Sequence, residues 1–255
     1  MKVPCHGAHY KRRAPNEKQK RNRAGGGCVA LSEQKREVGV TPQAIVIGDT
    51  GGIGAAIRAE LEARGYRVRG LSRSRDGFDV TDEASIEAGL AGIESPVDLV
   101  FVASGALGTP EKSLSQLTPG ELASQFAVNA IGPALVLKHA ARLLPRDRPA
   151  RFAALSARVG SIGDNRLGGW YSYRTSKAAL NQLLHGATIE LARSHKHLVV
   201  AAFHPGTVDT PFTADYPRDK LAPAEAARRL LDVLDGLSPA QTGGFFDHAG
   251  KEIPW

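Results

Sequence analysis

Short apolar runs alternate along this chain with longer segments whose apolar residues recur at helical spacing. The runs at 44–47, 66–71, 97–103, 150–156, 198–203 and 244–247 have the length of strands. Between them, residues 53–64, 84–93, 121–144, 171–192 and 224–234 carry helical patterns. Such alternation predicts a parallel sheet with helices on both faces, a doubly wound, Rossmann-like α/β domain over residues 41–255. Folds of this kind bind ligands beyond the carboxyl ends of their strands, so the segments that follow each strand are where chemistry is sought. A length of 255 residues suits one such domain.

The pattern is missing from residues 1–40, which contain the run Gly25-Gly26-Gly27 and predict a disordered tail. That tail holds ten Lys/Arg against three Glu, so it accounts for the whole formal charge of +7 and leaves residues 41–255 neutral. It lacks the aromatic interleaving of a nucleic-acid arm, and a solvated basic extension is the expectation; nucleic acid is not an expected partner. It also lacks the apolar core of a secretory signal. Both cysteines, Cys5 and Cys28, fall in it, which leaves the body without disulfides and suits a reducing, cytoplasmic setting. The spacing of Cys5, His6, His9 and Cys28 matches no standard zinc finger, so no metal site is expected. No apolar run approaches the roughly 20 residues needed to span a bilayer, and no membrane association is expected.

The first strand-like run leads into Gly48-Asp49-Thr50-Gly51-Gly52-Ile53-Gly54 and then a helical pattern. Gly48 permits a tight exit, Gly52 lets backbone approach a pyrophosphate, and Gly54 lets the helix pack closely, which together point to a dinucleotide. No Gly-Lys-Ser/Thr follows, which argues against a nucleotide-hydrolysing loop. After the second run, where an NAD-preferring protein offers a carboxylate, the chain reads Ser72-Arg73-Ser74-Arg75. Arg73 with Ser72 suits a 2′-phosphate, so NADP(H) is favoured over NAD(H), although Asp76 weakens the local positive field. Asp79 and Val80 follow as possible adenine contacts.

Tyr173 and Lys177 stand four apart at the start of a helical pattern and so share a face. A neighbouring ammonium draws a phenol's pKa down from about 10 and makes it a usable acid or base. Tyr171 has Thr175 at that offset and lacks the cation.

With the glycine turn, Asn129 and Tyr173-x-x-x-Lys177 in this order, residues 43–255 resemble the short-chain dehydrogenase/reductase superfamily. The ending 242–255, with Gly163-Asp164-Asn165 and Gly168-Gly169-Trp170, is similar to its C-factor-like branch. The resemblance implies hydride transfer between a nicotinamide and a small carbonyl or alcohol substrate, with Tyr173 as general acid/base. It implies that Lys177 holds the nicotinamide ribose and lowers the Tyr173 pKa, and that Asn129 places the lysine through a water. It assigns cofactor contacts to Gly48, Thr50, Gly52, Ile53, Gly54 and Gly105, and to Asn129, Tyr173 and Lys177. It also assigns them to Pro205, Gly206, Val208 and Thr210, placed after the sixth strand. It implies a homodimer or homotetramer through the helices around 121–144 and 171–192.

The chain departs from that family at two points. Val102-Ala103-Ser104-Gly105 stands where Asn-Asn-Ala-Gly is usual, and Ala157 stands where a substrate-polarising serine precedes x-x-Gly. Ser156 is the candidate replacement, although adjacent strand residues face opposite ways and it would need a bulge or twist to serve; Ser161 is the other candidate. The weak catalysis that Ala157 permits leaves a nucleotide-binding signalling or regulatory protein as the alternative function.

Overall fold

The computed structural model describes residues 41–217 and 219–255. The expected tail, with Cys5, His6, His9 and Cys28, lies outside the described residues. In chain order the elements are β1 (Gln43–Ile47), α1 (Gly52–Ala63), β2 (Arg67–Leu71), α2 (Arg73–Asp76), α3 (Glu83–Ala91) and β3 (Leu99–Val102). They continue with α4 (Pro119–Phe126), α5 (Gly132–Ala140), β4 (Ala150–Leu155), α6 (Tyr171–Leu191), β5 (Leu198–His204), α7 (Pro223–Gly236) and β6 (Phe245–Asp247). The six strands form one parallel sheet in the order β2-β1-β3-β4-β5-β6.

Alternation along each strand divides the core. Ile45, Ile47, Val100 and Val102 pack on one face with Ile86, Val136, Leu180 and Leu184, from α3, α5 and α6. Ala44, Val46, Leu99 and Phe101 face the other way, against Ile57 and Leu61 of α1 and Leu230 and Leu234 of α7. A run buried on both sides is apolar at nearly every position, as β3 is in Leu99-Val100-Phe101-Val102.

Two departures from the sequence reading bear on the site. The Pro205-Gly206 segment follows the fifth strand of this sheet, not the sixth. Between α2 and α3 the chain turns, with Asp79 Oδ1 accepting from both the N–H and the hydroxyl of Thr81, while Phe78 and Val80 enter the core from irregular backbone. The single helix expected at 121–144 begins at Pro119, where the Thr118 hydroxyl accepts from Glu121 N–H, and passes through a π turn over Ala127–Ile131. Asn129 lies in that turn, and π turns inside helices are frequent at functional sites.

Candidate active site

The glycine turn hangs between β1 and its neighbours, with Gly48 N–H donating to Leu71 O at 2.7 Å. Gly48 sits at φ +82°, where only glycine is unstrained, and a Cβ on it would lie 2.9 Å from Ser104 N. A Cβ on Gly54 would lie 2.1 Å from Gly48 O, and one on Gly52 would lie 2.5 Å from Thr210 Cγ2. The turn is thus packed from three sides by backbone or short side chains. Helix α1 has no side-chain cap, so its first N–H groups are open to an anion. Thr50 is exposed, its hydroxyl 3.1 Å from that of Ser74, while Ile53 packs against the core. The Ser104 hydroxyl is buried beside the turn with no partner among the described residues, an arrangement that costs about 1–3 kcal/mol unless a bound group meets it.

Behind the turn, sequence reasoning missed Asp49. Its buried carboxylate accepts two bonds from Arg75, at 2.7 and 3.0 Å, and one from Arg58 at 2.9 Å. Arg75 also pairs with Asp76, whose carboxylate in turn takes the N–H and hydroxyl of the buried Ser72. Asp76 and Ser72 are therefore engaged with each other and with Arg75, leaving Arg73 exposed with no hydrogen bond among the described residues. Of the adenine candidates, Asp79 is engaged with Thr81, and Val80 is buried against Gly132.

On α6, Tyr173 and Lys177 are both buried, with the lysine Nζ 5.8 Å from the centre of the tyrosine ring. Lys177 Nζ donates to Leu155 O at 2.8 Å. Burial pulls the Lys177 pKa from 10.5 to about 7. Burial, followed by the neighbouring Tyr216, pushes the Tyr173 phenol above its ordinary value. This is opposite to the direction expected from the Tyr-Lys spacing, because burial of the phenol away from water disfavours its charged form.

Asn129 is fully buried and clamps the loop after β3: its Oδ1 accepts from Ala106 N–H at 2.9 Å and its Nδ2 donates to Ala106 O at 2.8 Å. It also donates to Gln125 and to the Ser176 hydroxyl, which itself donates to Tyr173 O. A Cβ on Gly105 would lie 3.3 Å from Asn129 Oδ1 and 3.6 Å from Lys177 Nζ, so the two side chains meet across this glycine. From the segment after β5, Pro205 and Gly206, the latter at φ +81°, lead to buried Val208 and to Thr210, which touches Gly52. This contact joins the two ends of the site.

Ser156 does reach α6, but at the wrong level. Its hydroxyl donates to Asn181 Oδ1 at 2.7 Å, in a buried contact two helical turns, or about 12 Å along the axis, beyond Tyr173. The Ser161 hydroxyl donates to Pro254 O and accepts from Asp164 N–H. Neither serine faces Tyr173 as a free donor. Around the tyrosine stand Trp170 at 6.3 Å and Phe212 at 6.2 Å between ring centres, with Tyr216 5.8 Å from Trp170. Sequence reasoning made none of Trp170, Phe212 and Tyr216 a candidate site residue. It also missed Glu111, whose carboxylate takes the N–H and hydroxyl of Ser172.

No described helix is long and apolar enough to cross a membrane, and no group of three or more His, Cys, Asp or Glu among the described residues is arranged to hold a metal.

Known proteins resemble this chain in sequence and in fold. Residues 76–221 match the family model for short chain dehydrogenase. The 1-hydroxy-2-glutathionyl-2-methyl-3-butene dehydrogenase of Rhodococcus sp. (strain AD45) is 33% identical over 202 residues, covering 77% of this chain and 84% of its own. The C-signal protein of Myxococcus xanthus is 35% identical over 163 residues, 63% of this chain and 93% of its own. A short-chain dehydrogenase/reductase from Burkholderia multivorans, solved with bound NADP, superposes with a TM-score of 0.71 at 25% identity, covering 85% of this chain and 100% of that one. The NADPH-bound carbonyl reductase from chicken fatty liver has the same fold, with a TM-score of 0.72 at 22% identity over 84% of this chain and 94% of that one. With the family model spanning more than half of it, the chain belongs to the short-chain dehydrogenase family of oxidoreductases.

Proposed function

We propose that this protein is an NADP(H)-dependent oxidoreductase that interconverts a small carbonyl compound and its alcohol, with Tyr173 as general acid/base. The observation that carries the reading is the pairing of buried Tyr173 and Lys177 on one face of α6, joined to the glycine turn through Asn129, Gly105 and the Gly52–Thr210 contact. The residues present suit the cofactor. The open N-terminus of α1 would take the pyrophosphate, Ser104 would gain a partner, and exposed Arg73, which has no hydrogen bond among the described residues and only a charge interaction with Asp79, would take the 2′-phosphate. NADP bound to the relative from Burkholderia multivorans supports the same assignment. When bound, the cofactor supplies or accepts the hydride.

The remaining chemistry belongs to the chain. The raised Tyr173 pKa keeps the phenol protonated near neutrality, so in the reducing direction it is poised to donate a proton to a developing alkoxide. Lys177 sits within reach of the ring to favour the phenolate once that proton has left. Trp170, Phe212 and Tyr216 wall the approach with aromatic faces, which favours an apolar carbonyl over a charged one. Ala157 provides no second donor, and a missing donor of this kind commonly costs about 10²–10³ in rate, so turnover is slow. A nucleotide-binding signalling protein is the second reading, favoured by Ala157 and the similarity to C-signal. A cytoplasmic homodimer or homotetramer through the helices around 121–144 and 171–192 also belongs to this proposal, the second of these regions presenting exposed Leu183 and Ile189.

Calorimetric titration with NADPH and NADH, paired with NADPH oxidation against aldehydes, ketones and quinones, tests the reading. Tight NADPH binding with turnover is expected. NADPH binding without turnover across the panel favours the signalling protein, and absence of NADPH binding overturns both.

A further inference from the structure

The entry into α6 is the one place among the described residues where a residue other than glycine holds a positive φ: Trp170 lies at +52°, directly after Gly168 at +63° and Gly169 at +65°. The two glycines adopt this region freely, but a tryptophan there is strained, and such strain persists only where the surroundings over-determine it. Trp170 is also the ring set edge-on to Tyr173, so the conformation of this run decides how the tyrosine is walled.

The constraint comes from Glu111, in the loop between β3 and α4. Its main-chain carbonyl accepts from Trp170 N–H at 2.6 Å, and a Cβ on Gly169 would stand 3.3 Å from that same oxygen. Its carboxylate, in a residue only 4% exposed, accepts from Ser172 N–H at 3.3 Å to each oxygen and from the Ser172 hydroxyl. One residue therefore grips the chain on both sides of Tyr171, and Tyr173 follows at once. Burial pushes the Glu111 carboxyl up, but the donors of Ser172 and the main-chain N–H groups of Glu111 and Tyr171 outweigh it and hold the carboxyl below its ordinary range. It is thus an anion at neutral pH, at a helix N-terminus where an anion is stabilised.

We propose that Glu111 is a positioning residue for Tyr173: by gripping Trp170 and Ser172 it fixes the left-handed turn that sets the tyrosine and the indole beside it. The proposal rests on the reading of Tyr173 as proton donor. The titratable and charged groups around Tyr173 are Lys177 and Arg174 on its own helix, Tyr216 from the segment after β5, and Glu111 behind the first turn. Removing the Glu111 charge leaves the helix N-terminus uncompensated, which favours the phenolate and lowers the pH at which Tyr173 loses its proton.

The test uses Glu111→Gln and Glu111→Ala in the full chain, each with Trp255→Phe so that Trp170 is the remaining tryptophan. Reduction of phenanthrenequinone by NADPH, its pH profile, NADPH affinity and Trp170 emission are read together. In Glu111→Ala, kcat should fall by up to about 10²-fold, the scale of a misplaced catalytic group, with NADPH affinity held and Trp170 emission shifted to the red. Glu111→Gln, which keeps an acceptor and the fold, should lose about 10-fold in kcat, the low side of a general acid's contribution, and move the alkaline limb to lower pH. Unchanged kcat, pH limb and emission in both variants, with only the melting temperature lowered, would reduce Glu111 to a structural cap and overturn the proposal. If the parent turns over neither the quinone nor any aldehyde or ketone of the panel, the reading of Tyr173 fails, while the emission of the Glu111 variants still reports whether this residue fixes the turn.

Discussion

At the glycine turn the chain makes room by leaving side chains out, whereas at the start of α6 it fills the space with buried polar groups. Gly48, Gly52 and Gly54 each lie where a Cβ would come within 3 Å of a neighbouring atom. Tyr173, Ser176 and Lys177 are each nine-tenths buried or more, and the two hydrogen bonds from Ser176 and Lys177 end on main-chain carbonyls. The first region works through backbone shape, which tolerates no added atom. The second works through protonation, which desolvation sets and which a bound cofactor would reset. Damage to the turn should therefore be all-or-none, while damage to the helix face should be graded and pH-dependent.

The sharpest break in that comparison is Gly54→Ala. Its Cβ would meet the carbonyl of Gly48, a backbone atom that cannot swing aside, so the turn must deform. A loss of about 1–3 kcal/mol in stability is expected, together with loss of calorimetrically measurable NADPH binding. Next comes Arg73→Ala, which should weaken NADPH by about 10- to 100-fold, the worth of a charge-assisted hydrogen bond, while leaving NADH affinity nearly unchanged. Equal losses for both cofactors would remove Arg73 from the 2′-phosphate.

On the helix face, the Lys177 value of about 7 lies below its ordinary 10.5, so between these two the unfolded chain binds more protons than the folded one. Stability of the cofactor-free protein should then rise with pH across this window, by a contribution absent from Lys177→Met, as denaturant melts at a series of pH values would record. The smallest expected effect is that of Ala157→Ser, a gain of about 10-fold in kcat, short of the 10²–10³ attached to an optimised donor. Ser156→Ala should instead cost about 1 kcal/mol of stability through the lost bond to Asn181, with little change in rate.

The difference between the two regions also explains what could be read without a structure. Backbone-shaped features announce themselves locally: the strand, the glycines and the following helix are contiguous, and the six strands and the long helix α6 followed from periodicity in the same way, whereas the π turn that interrupts 121–144 did not. Features built by distant partners do not. Glu111 meets Ser172 across 61 positions, and Asp49 meets Arg75 across 26, so neither acid carries a signal in its own neighbourhood. The Tyr173-Lys177 pair was legible as spacing, but the direction of the tyrosine's shift was not, since burial is a property of the packed core. The side of Ser156 was open for a related reason: alternation decides a face of the sheet, while its level along α6 depends on how the helix docks, and that put it beside Asn181.

The central claim, that Tyr173 is the proton donor of an NADP(H)-dependent enzyme, is tested most directly by Tyr173→Phe measured for NADPH affinity and for turnover on the same substrate. The ring and its packing against Trp170 and Phe212 are retained, so NADPH affinity should stay within a small factor of the parent's. Turnover should fall by about 10²–10⁴, the contribution of a general acid. Turnover equal to that of the parent, at equal NADPH affinity, would contradict the account.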